Sequence, residues 1–237
     1  MKLATPLLLL LCACAQEPRD PVAAFVEHYI ESDPKRPFEA TFLGVPTWQN
    51  PCDLWMLQEI IAEVKPDVVI ETGTAYGGSA LFLAMVLEQV NPQGRVITID
   101  VEPKTDAAAR RRIWRERVDL IVGDSVGEDT IAELERRVKG KTVLLTLDSL
   151  HGKKHVLEEL RRLSHLVSKG SYVVVQDTVI DRKPEWIERY ASYDGSTAGP
   201  GRAVEEFLKE NRAYEVDRSR ERFLFTFHPR GFLKRVR

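Results

Sequence analysis

The stretch Val68-Val69-Ile70-Glu71-Thr72-Gly73-Thr74-Ala75-Tyr76-Gly77-Gly78-Ser79 decides the fold of this chain. Its β-branched start, which follows Pro66 and Asp67, predicts a buried parallel strand. The strand ends in an acidic residue and a glycine-containing turn, and an apolar helix follows from Ala80. This order is typical of the ligand-binding corner of a doubly wound α/β sheet, where the ligand lies at a helix N-terminus.

The glycine spacing of this corner excludes two common phosphate-binding patterns. It is not the G-x-G-x-x-G of dinucleotide enzymes, and it lacks the Lys-Ser/Thr pair of a P-loop. Glu71 at the strand end would repel a phosphate and suits a cationic or hydroxyl-rich ligand. S-adenosylmethionine, a sulfonium with a free amino group, meets that requirement.

Length and composition place limits on the class of protein. A chain of 237 residues with 43% hydrophobic content predicts one sizeable core and one main domain. The formal charge of −2 gives no support for a nucleic-acid partner, which normally requires a basic face. Cys12 and Cys14 lie near the N-terminus and leave only Cys52 in the body, so no disulfide framework is expected.

The N-terminus has the pattern of a leader over residues 1–15. Lys2, a short apolar run and small residues are typical of a secretory signal peptide, and the run is too short for a membrane span of about 20 residues. Three interpretations stay open. Leu11-Cys12-Ala13-Cys14 resembles a lipoprotein box with Cys14 lipidated, Ala13-Cys14-Ala15 fits an ordinary cleavage site, and an uncleaved or misassigned start would leave a cytoplasmic protein. The first two interpretations predict export or membrane association through the N-terminus.

The rest of the chain divides into a lead-in and a main domain. Residues 16–52 are predicted to form an N-terminal helix over Asp20–Glu31 and an irregular, proline-rich segment. Residues 53–237 are predicted to form the main domain, which opens with a helix from Asp53, as its cap, to about Lys65.

Strands and helices alternate after the first strand. The further strands are predicted at Arg95–Asp100, Val118–Val122, Thr142–Asp148 and Ser171–Asp177, and a final antiparallel pair at Tyr214–Val216 and Arg222–Phe227. This pattern predicts an α/β fold with a central, mostly parallel sheet, a C-terminal antiparallel hairpin and helices on both faces. That is the plan of the Rossmann-like class I methyltransferases.

Acidic residues end all five predicted parallel strands: Glu71, Asp100, Asp124, Asp148 and Asp177. One acid after a strand often only caps the next helix, but parallel strands bring five of them to one rim, where ligands bind. Asp100 is expected to accept hydrogen bonds from ribose hydroxyls, and Asp124 with Ser125 to reach the adenine of the methyl donor.

Asp148 and Asp177 are predicted to form a metal site. If their strands are neighbours, about 4.8 Å separates the strand ends, and two carboxylates at that spacing repel unless a proton or cation lies between them. Mg²⁺ prefers such oxygen ligands. His151, three residues after Asp148, is expected to act as a base for a substrate hydroxyl. His155 and His228 are interpreted as structural residues.

Several motifs together resemble one family. They are Trp48–Trp55, Pro66–Ala80, Leu147–His151, Gly170–Thr178 and the Gly199-Pro200-Gly201 turn, in that order. The chain from about Phe42 to its C-terminus closely resembles the cephalosporin hydroxylase/rhamnosyl O-methyltransferase family. The resemblance implies an S-adenosylmethionine-dependent, Mg²⁺-assisted O-methyltransferase that acts on sugar, glycolipid or antibiotic hydroxyls.

The resemblance also implies site residues. Glu71, Gly73, Tyr76, Gly77, Ser79, Asp100 and Asp124 fall where the family binds the methyl donor, and Asp148 adjoins both donor and metal. Asp148, Gln176 and Asp177 fall on metal-ligand positions, and His151 on the base. The departure is Gln176, because the family pattern is Glu-Asp after the fifth strand and an amide removes one negative charge from the site.

Three functions follow, in order of preference. The first is the O-methyltransferase, with a small-molecule or glycolipid acceptor under the aromatic loop Thr178–Gly199. The second is an exported or lipid-anchored binding protein that keeps the fold without the catalysis, because Gln176 weakens the metal site and an exported enzyme would lack its cytoplasmic donor. The third, an oxygenase, lacks the 2-His-1-carboxylate ligand set of non-haem iron. Whether the protein forms an oligomer stays open.

Overall fold

The computed structural model describes residues 20–33, 35 and 39–237, so the leader and Cys14 lie outside the described residues. Helices α1 to α9 are Pro21–Ser32, Pro51–Val64, Gly78–Val90, Asp106–Ala109, Arg112–Arg117, Glu128–Val138, Lys153–Leu163, Pro184–Tyr190 and Pro200–Glu210. Strands β1 to β9 are Thr41–Phe42, Val45–Pro46, Val68–Thr72, Arg95–Asp100, Val118–Val122, Val143–Leu147, Tyr172–Val175, Tyr214–Val216 and Phe232–Arg235. Within these ranges no helix is both long and apolar enough to cross a bilayer.

The main sheet has the predicted α/β architecture. In the described chain its strand order is β5-β4-β3-β6-β7-β9-β8, with β3 to β7 parallel and β8 and β9 antiparallel. The chain winds outward from β3 in one direction through β4 and β5, and in the other through β6 and β7. The switch point therefore lies between β3 and β6, where an open α/β sheet binds its ligand. The expected neighbours β6 and β7 are paired.

Helices cover both faces of this sheet, as the near-continuous apolar strands predicted. Alternate residues of β3 enter different cores: Val68 and Ile70 pack with α6, α7 and α9, whereas Val69 packs with α2, α3 and α5. Each fully buried Val, Leu or Ile contributes about 1.5–3 kcal/mol relative to an exposed one. The sheet edge that carries the site is thus supported by packed layers on either side.

The C-terminal hairpin forms from a different segment than predicted. Arg222–Phe227 is irregular after a 3₁₀ turn at Arg218–Glu221, and β9 (Phe232–Arg235) pairs with β7 and β8 instead. The alternating phenylalanines looked like a strand, but Phe225 and Phe227 pack edge-on with each other and beside Tyr29 of α1. An aromatic cluster, and not sheet pairing, explains their spacing.

Two further local predictions were wrong. Asn50, and not Asp53, caps α2: its Oδ1 accepts the N–H of Cys52 at 2.8 Å, and Asp53 is buried inside the first turn. The expected loop Thr178–Gly199 is largely helical, and Trp186 of α8 is buried against α1 among residues such as Val26. Trp186 therefore serves the packing of α1, whereas Tyr193 of the same segment is 77% exposed.

Candidate active site at the carboxyl ends of the strands

A tight turn joins β3 to α3 and requires glycine. Gly73 has φ +87°, and a Cβ there would lie 1.9 Å from the carbonyl oxygen of Asp148, so any other residue would require the backbone to shift. Gly77 has φ +82° and precedes α3, and a Cβ there would meet the ring of Trp114 at 2.6 Å. The turn also binds the next strand, since the N–H of Ala75 donates to Asp100 Oδ2 at 2.8 Å.

A cavity of about 490 Å³ opens at the switch point. That volume lies within the 300–1,000 Å³ typical of small-molecule sites. Its lining includes the predicted residues Gly73, Tyr76, Ser79, Asp100, Asp124, Asp148, His151 and Asp177. The predicted residues Glu71, Gly77 and Gln176 are buried and are not among the lining residues.

Glu71 lies on β3 directly opposite Thr98 of β4 and is fully buried. Thr98 donates its hydroxyl to Glu71 Oε2 at 2.6 Å, whereas Oε1 has no hydrogen-bond partner in the described part of the chain. Burial raises the pKa of Glu71 to about 7, against the hydrogen bond from Thr98, and the charge of Asp100 adds to the rise. A buried carboxyl with an unpaired oxygen favours a cationic neighbour.

Asp148, His151 and Asp177 form a cluster on one side of the cavity. One ligand atom from each lies within 4.8 Å of the others, and His151 Nε2 is 3.4 Å from Asp177 Oδ2. Burial, and then the charges of Asp177 and Glu71, hold the pKa of Asp148 well above its usual range. A divalent cation between the two carboxylates would relieve this repulsion, so the donor set fits Mg²⁺.

Gln49 is a site residue that the sequence interpretation did not assign. Its Nε2 donates to Asp148 Oδ2 at 2.7 Å, which holds one face of that carboxylate. The sequence feature that could have indicated Gln49 was its position in the Trp48–Trp55 motif. No local pattern, however, shows that Gln49 will contact Asp148, which lies 99 positions away in the chain.

His228 was interpreted as structural, yet it lies directly behind Asp177. Its Nδ1 accepts the backbone N–H of Asp177 at 3.0 Å, and its Nε2 is 3.7 Å from Asp53 Oδ2. Burial lowers the pKa of His228 to about 4, so the ring is neutral near pH 7. Asp53 is also buried, and burial raises its pKa to about 7.

A second network lies below the Asp124 side of the cavity. The fully buried Glu159 accepts hydroxyl hydrogen bonds from Ser125 at 2.6 Å and Ser149 at 2.8 Å. His155, expected to be only a helix-face residue, lines the cavity with its Nε2 3.4 Å from Glu159. Although burial by itself would lower it, the pKa of His155 is raised by its hydrogen bond with Glu159 and by that residue's charge.

Comparison with known proteins gives a consistent result. Residues 36–236 match the family described as Rhamnosyl O-methyltransferase/CmcI. A rhamnosyl O-methyltransferase of Mycobacterium bovis is 36% identical over 202 residues, which cover 83% of this chain and 78% of that protein. The Mycobacterium leprae protein of the same name is also 36% identical over 202 residues, 82% of either chain.

Solved structures share the fold. The structure described as "cmcI-D160 Mg-SAM" superposes with a TM-score of 0.62 at 18% identity, covering 84% of this chain and 78% of that one. The predicted architecture, with its mostly parallel sheet and antiparallel C-terminal strands, is therefore confirmed.

Proposed function

The chain belongs to the rhamnosyl O-methyltransferase/CmcI family and is an S-adenosylmethionine-dependent O-methyltransferase, and from this premise we propose that it methylates a hydroxyl of a sugar or glycolipid with the help of a divalent metal. One observation supports the proposal above all others. Acidic side chains at the ends of four strands, Asp100, Asp124, Asp148 and Asp177, meet at a single cavity beside the Gly73 turn.

The donor would occupy the side of the cavity next to β3, β4 and β5. Asp100 would accept the ribose hydroxyls, and Asp124 with Ser125 would face the adenine. Glu71 lies below the turn, where its buried carboxyl offers negative charge toward the methionine amino group and the sulfonium. The donor side of the cavity would be shaped by Gly73, Tyr76, Gly77 and Ser79. Gly77 would act through the turn, because it does not line the cavity.

The metal would be held by Asp148 and Asp177, with Gln176 as a neutral third ligand. Mg²⁺ at this position would lower the pKa of an acceptor hydroxyl. Gln49 would keep the Asp148 carboxylate oriented through its hydrogen bond. Gln176 is buried directly before Asp177, and its role as a ligand stays a prediction.

His151 would accept the proton of the acceptor hydroxyl on an imidazole nitrogen. Asp177, whose Oδ2 lies 3.4 Å from His151 Nε2, would stabilise the imidazolium that forms. Bound S-adenosylmethionine would supply the methyl group, whose C–S bond would break as the acceptor oxygen forms the new C–O bond, with S-adenosylhomocysteine as the leaving product. Alignment of the oxygen behind the methyl carbon contributes most of the rate enhancement.

The acceptor would enter between Trp48 and Leu150, which line the cavity and remain 43% exposed each. Trp48 packs edge-on against Tyr76 at 5.1 Å, which fixes the indole beside the donor side. An aromatic face next to carboxylates suits a sugar, whose ring combines apolar C–H faces with hydroxyls. The names of the mycobacterial relatives agree with a rhamnosyl acceptor.

The test is transfer of a labelled methyl group from S-adenosylmethionine to a rhamnosyl glycolipid, a free rhamnoside and a non-sugar phenol, with and without Mg²⁺. We expect transfer to the sugar hydroxyls and a loss of about 10²–10⁴-fold in His151→Gln. His165→Gln is the matched control, because His165 is an exposed residue paired with Glu135 outside the cavity. Transfer only to the phenol would reject the sugar, and equal rates with EDTA would reject the metal.

The exported binding protein is the less favoured alternative, because the matched relatives are methyltransferases and the cavity keeps its acidic lining. It predicts no heat on titration with S-adenosylmethionine, whereas the enzyme predicts saturable binding. The leader over residues 1–15 stays a prediction, and the intact mass of the native protein would show whether it is cut, kept or lipidated.

A further inference from the structure

Asp177 has an unusual backbone conformation for a residue with a side chain. It follows β7 with φ 54° and ψ 27°, in the left-handed region. Non-glycine residues adopt this region rarely, and they keep it where the surroundings over-determine it. The carboxylate of the same residue belongs to the cluster with Asp148 and His151. The conformation of one peptide therefore decides where a potential metal ligand points.

His228 supplies the contact that holds this peptide. The N–H of Asp177 donates to His228 Nδ1 at 3.0 Å, and the histidine side chain is only 2% exposed. A nitrogen that accepts a hydrogen bond carries no proton, so the imidazole proton lies on Nε2. Nε2 lies 3.7 Å from Asp53 Oδ2, beyond hydrogen-bond distance, and has no hydrogen-bond partner among the described residues.

Asp53 anchors the segment that carries His228. Its Oδ1 accepts the hydroxyl of Thr226 at 2.5 Å, and its Oδ2 accepts the N–H of Phe227 at 2.8 Å. The hydroxyl oxygen of Thr226 in turn accepts the N–H of His228 at 2.9 Å. Thus three consecutive residues of an irregular segment are attached to the first turn of α2.

The start of α2 reaches the second carboxylate as well. Gln49, four residues before Asp53, donates to Asp148 Oδ2 at 2.7 Å. The two carboxylates of the cluster are thus held by one short stretch of chain, Asp148 directly and Asp177 through His228. Neither Asp53 nor His228 lines the cavity, so they act only through these contacts.

We propose that His228 is a positioning residue for a divalent-cation site at Asp148 and Asp177, and that it acts by holding the Asp177 peptide in its left-handed conformation. Asp53 holds the segment that carries His228 through its hydrogen bonds with Thr226 and Phe227. The inference rests on the metal site of the proposed function. A purely packing role for His228 would require only the volume of the ring, and the hydrogen bond at Nδ1 distinguishes the two.

The experiment uses the full chain and Mn²⁺ as the probe. Free Mn²⁺ is counted by electron paramagnetic resonance without donor or acceptor, and S-adenosylhomocysteine binding is measured separately by calorimetry. His228→Leu removes the acceptor of the Asp177 N–H and should weaken Mn²⁺ binding by about 10–100-fold, the usual range for residues that orient metal ligands. His228→Asn keeps an acceptor near the Nδ1 position and should stay close to the wild type.

His165→Leu is the matched control, because it removes an exposed histidine that does not line the cavity. Unchanged Mn²⁺ affinity in His228→Leu, or an equal loss in His228→Asn, would overturn the proposal. An equal loss of Mn²⁺ and S-adenosylhomocysteine binding in His228→Leu would also overturn it, since that is the mark of general damage.

Two further readouts cover other failures. If His228→Leu does not fold, long-range ¹⁵N–¹H spectra of the wild type decide: a bare Nδ1 and a protonated Nε2 support the proposal, and a protonated Nδ1 rejects it. A wild type that transfers methyl groups but binds no Mn²⁺ overturns the positioning role while leaving the methyltransferase assignment intact.

Discussion

Glu71→Gln should make the protein more stable at alkaline pH and at the same time a poorer binder of its donor. The wild-type carboxyl is fully buried, with a pKa raised from 4.5 to about 7. Glutamine has nearly the same shape and keeps an oxygen for the Thr98 hydroxyl. The substitution therefore removes the titration and changes little of the packing.

The magnitude follows from proton linkage. In the wild type the folded state holds the Glu71 proton more tightly than the unfolded state does. The free energy of unfolding therefore falls as pH rises from 4.5 toward 7, and it levels off above pH 7. With these two pKa values the loss between pH 5 and pH 8 is about 2.5 kcal/mol. The variant lacks this loss, so its advantage over the wild type should grow by that amount.

Donor binding should change in the opposite direction. An ionised Glu71 near a sulfonium or ammonium group favours the bound state, and a neutral amide does not. We expect Glu71→Gln to lower S-adenosylmethionine affinity by about tenfold at pH 8, which corresponds to roughly 1.4 kcal/mol. A gain in stability with a loss in binding is typical of a buried charge kept for function.

Urea unfolding of both proteins without ligand at pH 5 and pH 8, with calorimetry at pH 8, checks both parts. Glu158→Gln is the control, since Glu158 is exposed on α7 and does not line the cavity. A difference in unfolding free energy that stays the same at both pH values would refute the buried titration. Undiminished donor affinity would show that Glu71 does not face the cation.

Three other variants test the site and its frame. Gly73→Ala forces a Cβ to within 1.9 Å of the Asp148 carbonyl at a φ of +87°, so it should cost about 2–4 kcal/mol in urea unfolding and weaken S-adenosylhomocysteine binding by calorimetry. Asn50→Ala removes the cap on the Cys52 N–H and should cost about 1 kcal/mol of unfolding free energy in the same urea assay, and an unchanged value would show that the cap contributes nothing. Gln176→Glu adds a negative charge beside Asp177 and should tighten Mn²⁺ binding on the order of tenfold; weaker binding would mean that residue 176 points elsewhere.

The strands of the parallel sheet were predictable because their signals are local. Arg95–Asp100 and Val118–Val122 form at the predicted bounds, since β-branched runs between turn residues have few other stable conformations. The turn at Gly73 was predictable for the same reason. Parallel pairing then follows from the alternation of strands with helices, and it brings the strand-end acids to one edge.

The incorrect predictions concern segments whose environment is set by distant parts of the chain. The phenylalanines around Phe225 have strand periodicity, but α1 offers them aromatic partners. Asp53 is a residue type that often caps helices. Its carboxylate instead accepts hydrogen bonds from Thr226 and Phe227, which are distant in sequence and pack beside it in the fold. A local pattern does not show which of two satisfactory partners a side chain will meet.

From residue order alone, the type of fold, the cavity edge and the strand-end aspartates that line the cavity could be derived, because each depends on short-range periodicity and on the rule that parallel strands end together. Only the folded chain decided which groups support that edge. Gln49 meets Asp148 across 99 residues and His228 meets Asp177 across 51, and such contacts arise from the packing of α2 and the C-terminal segment against the sheet. No periodic signal encodes a hydrogen bond between residues so far apart.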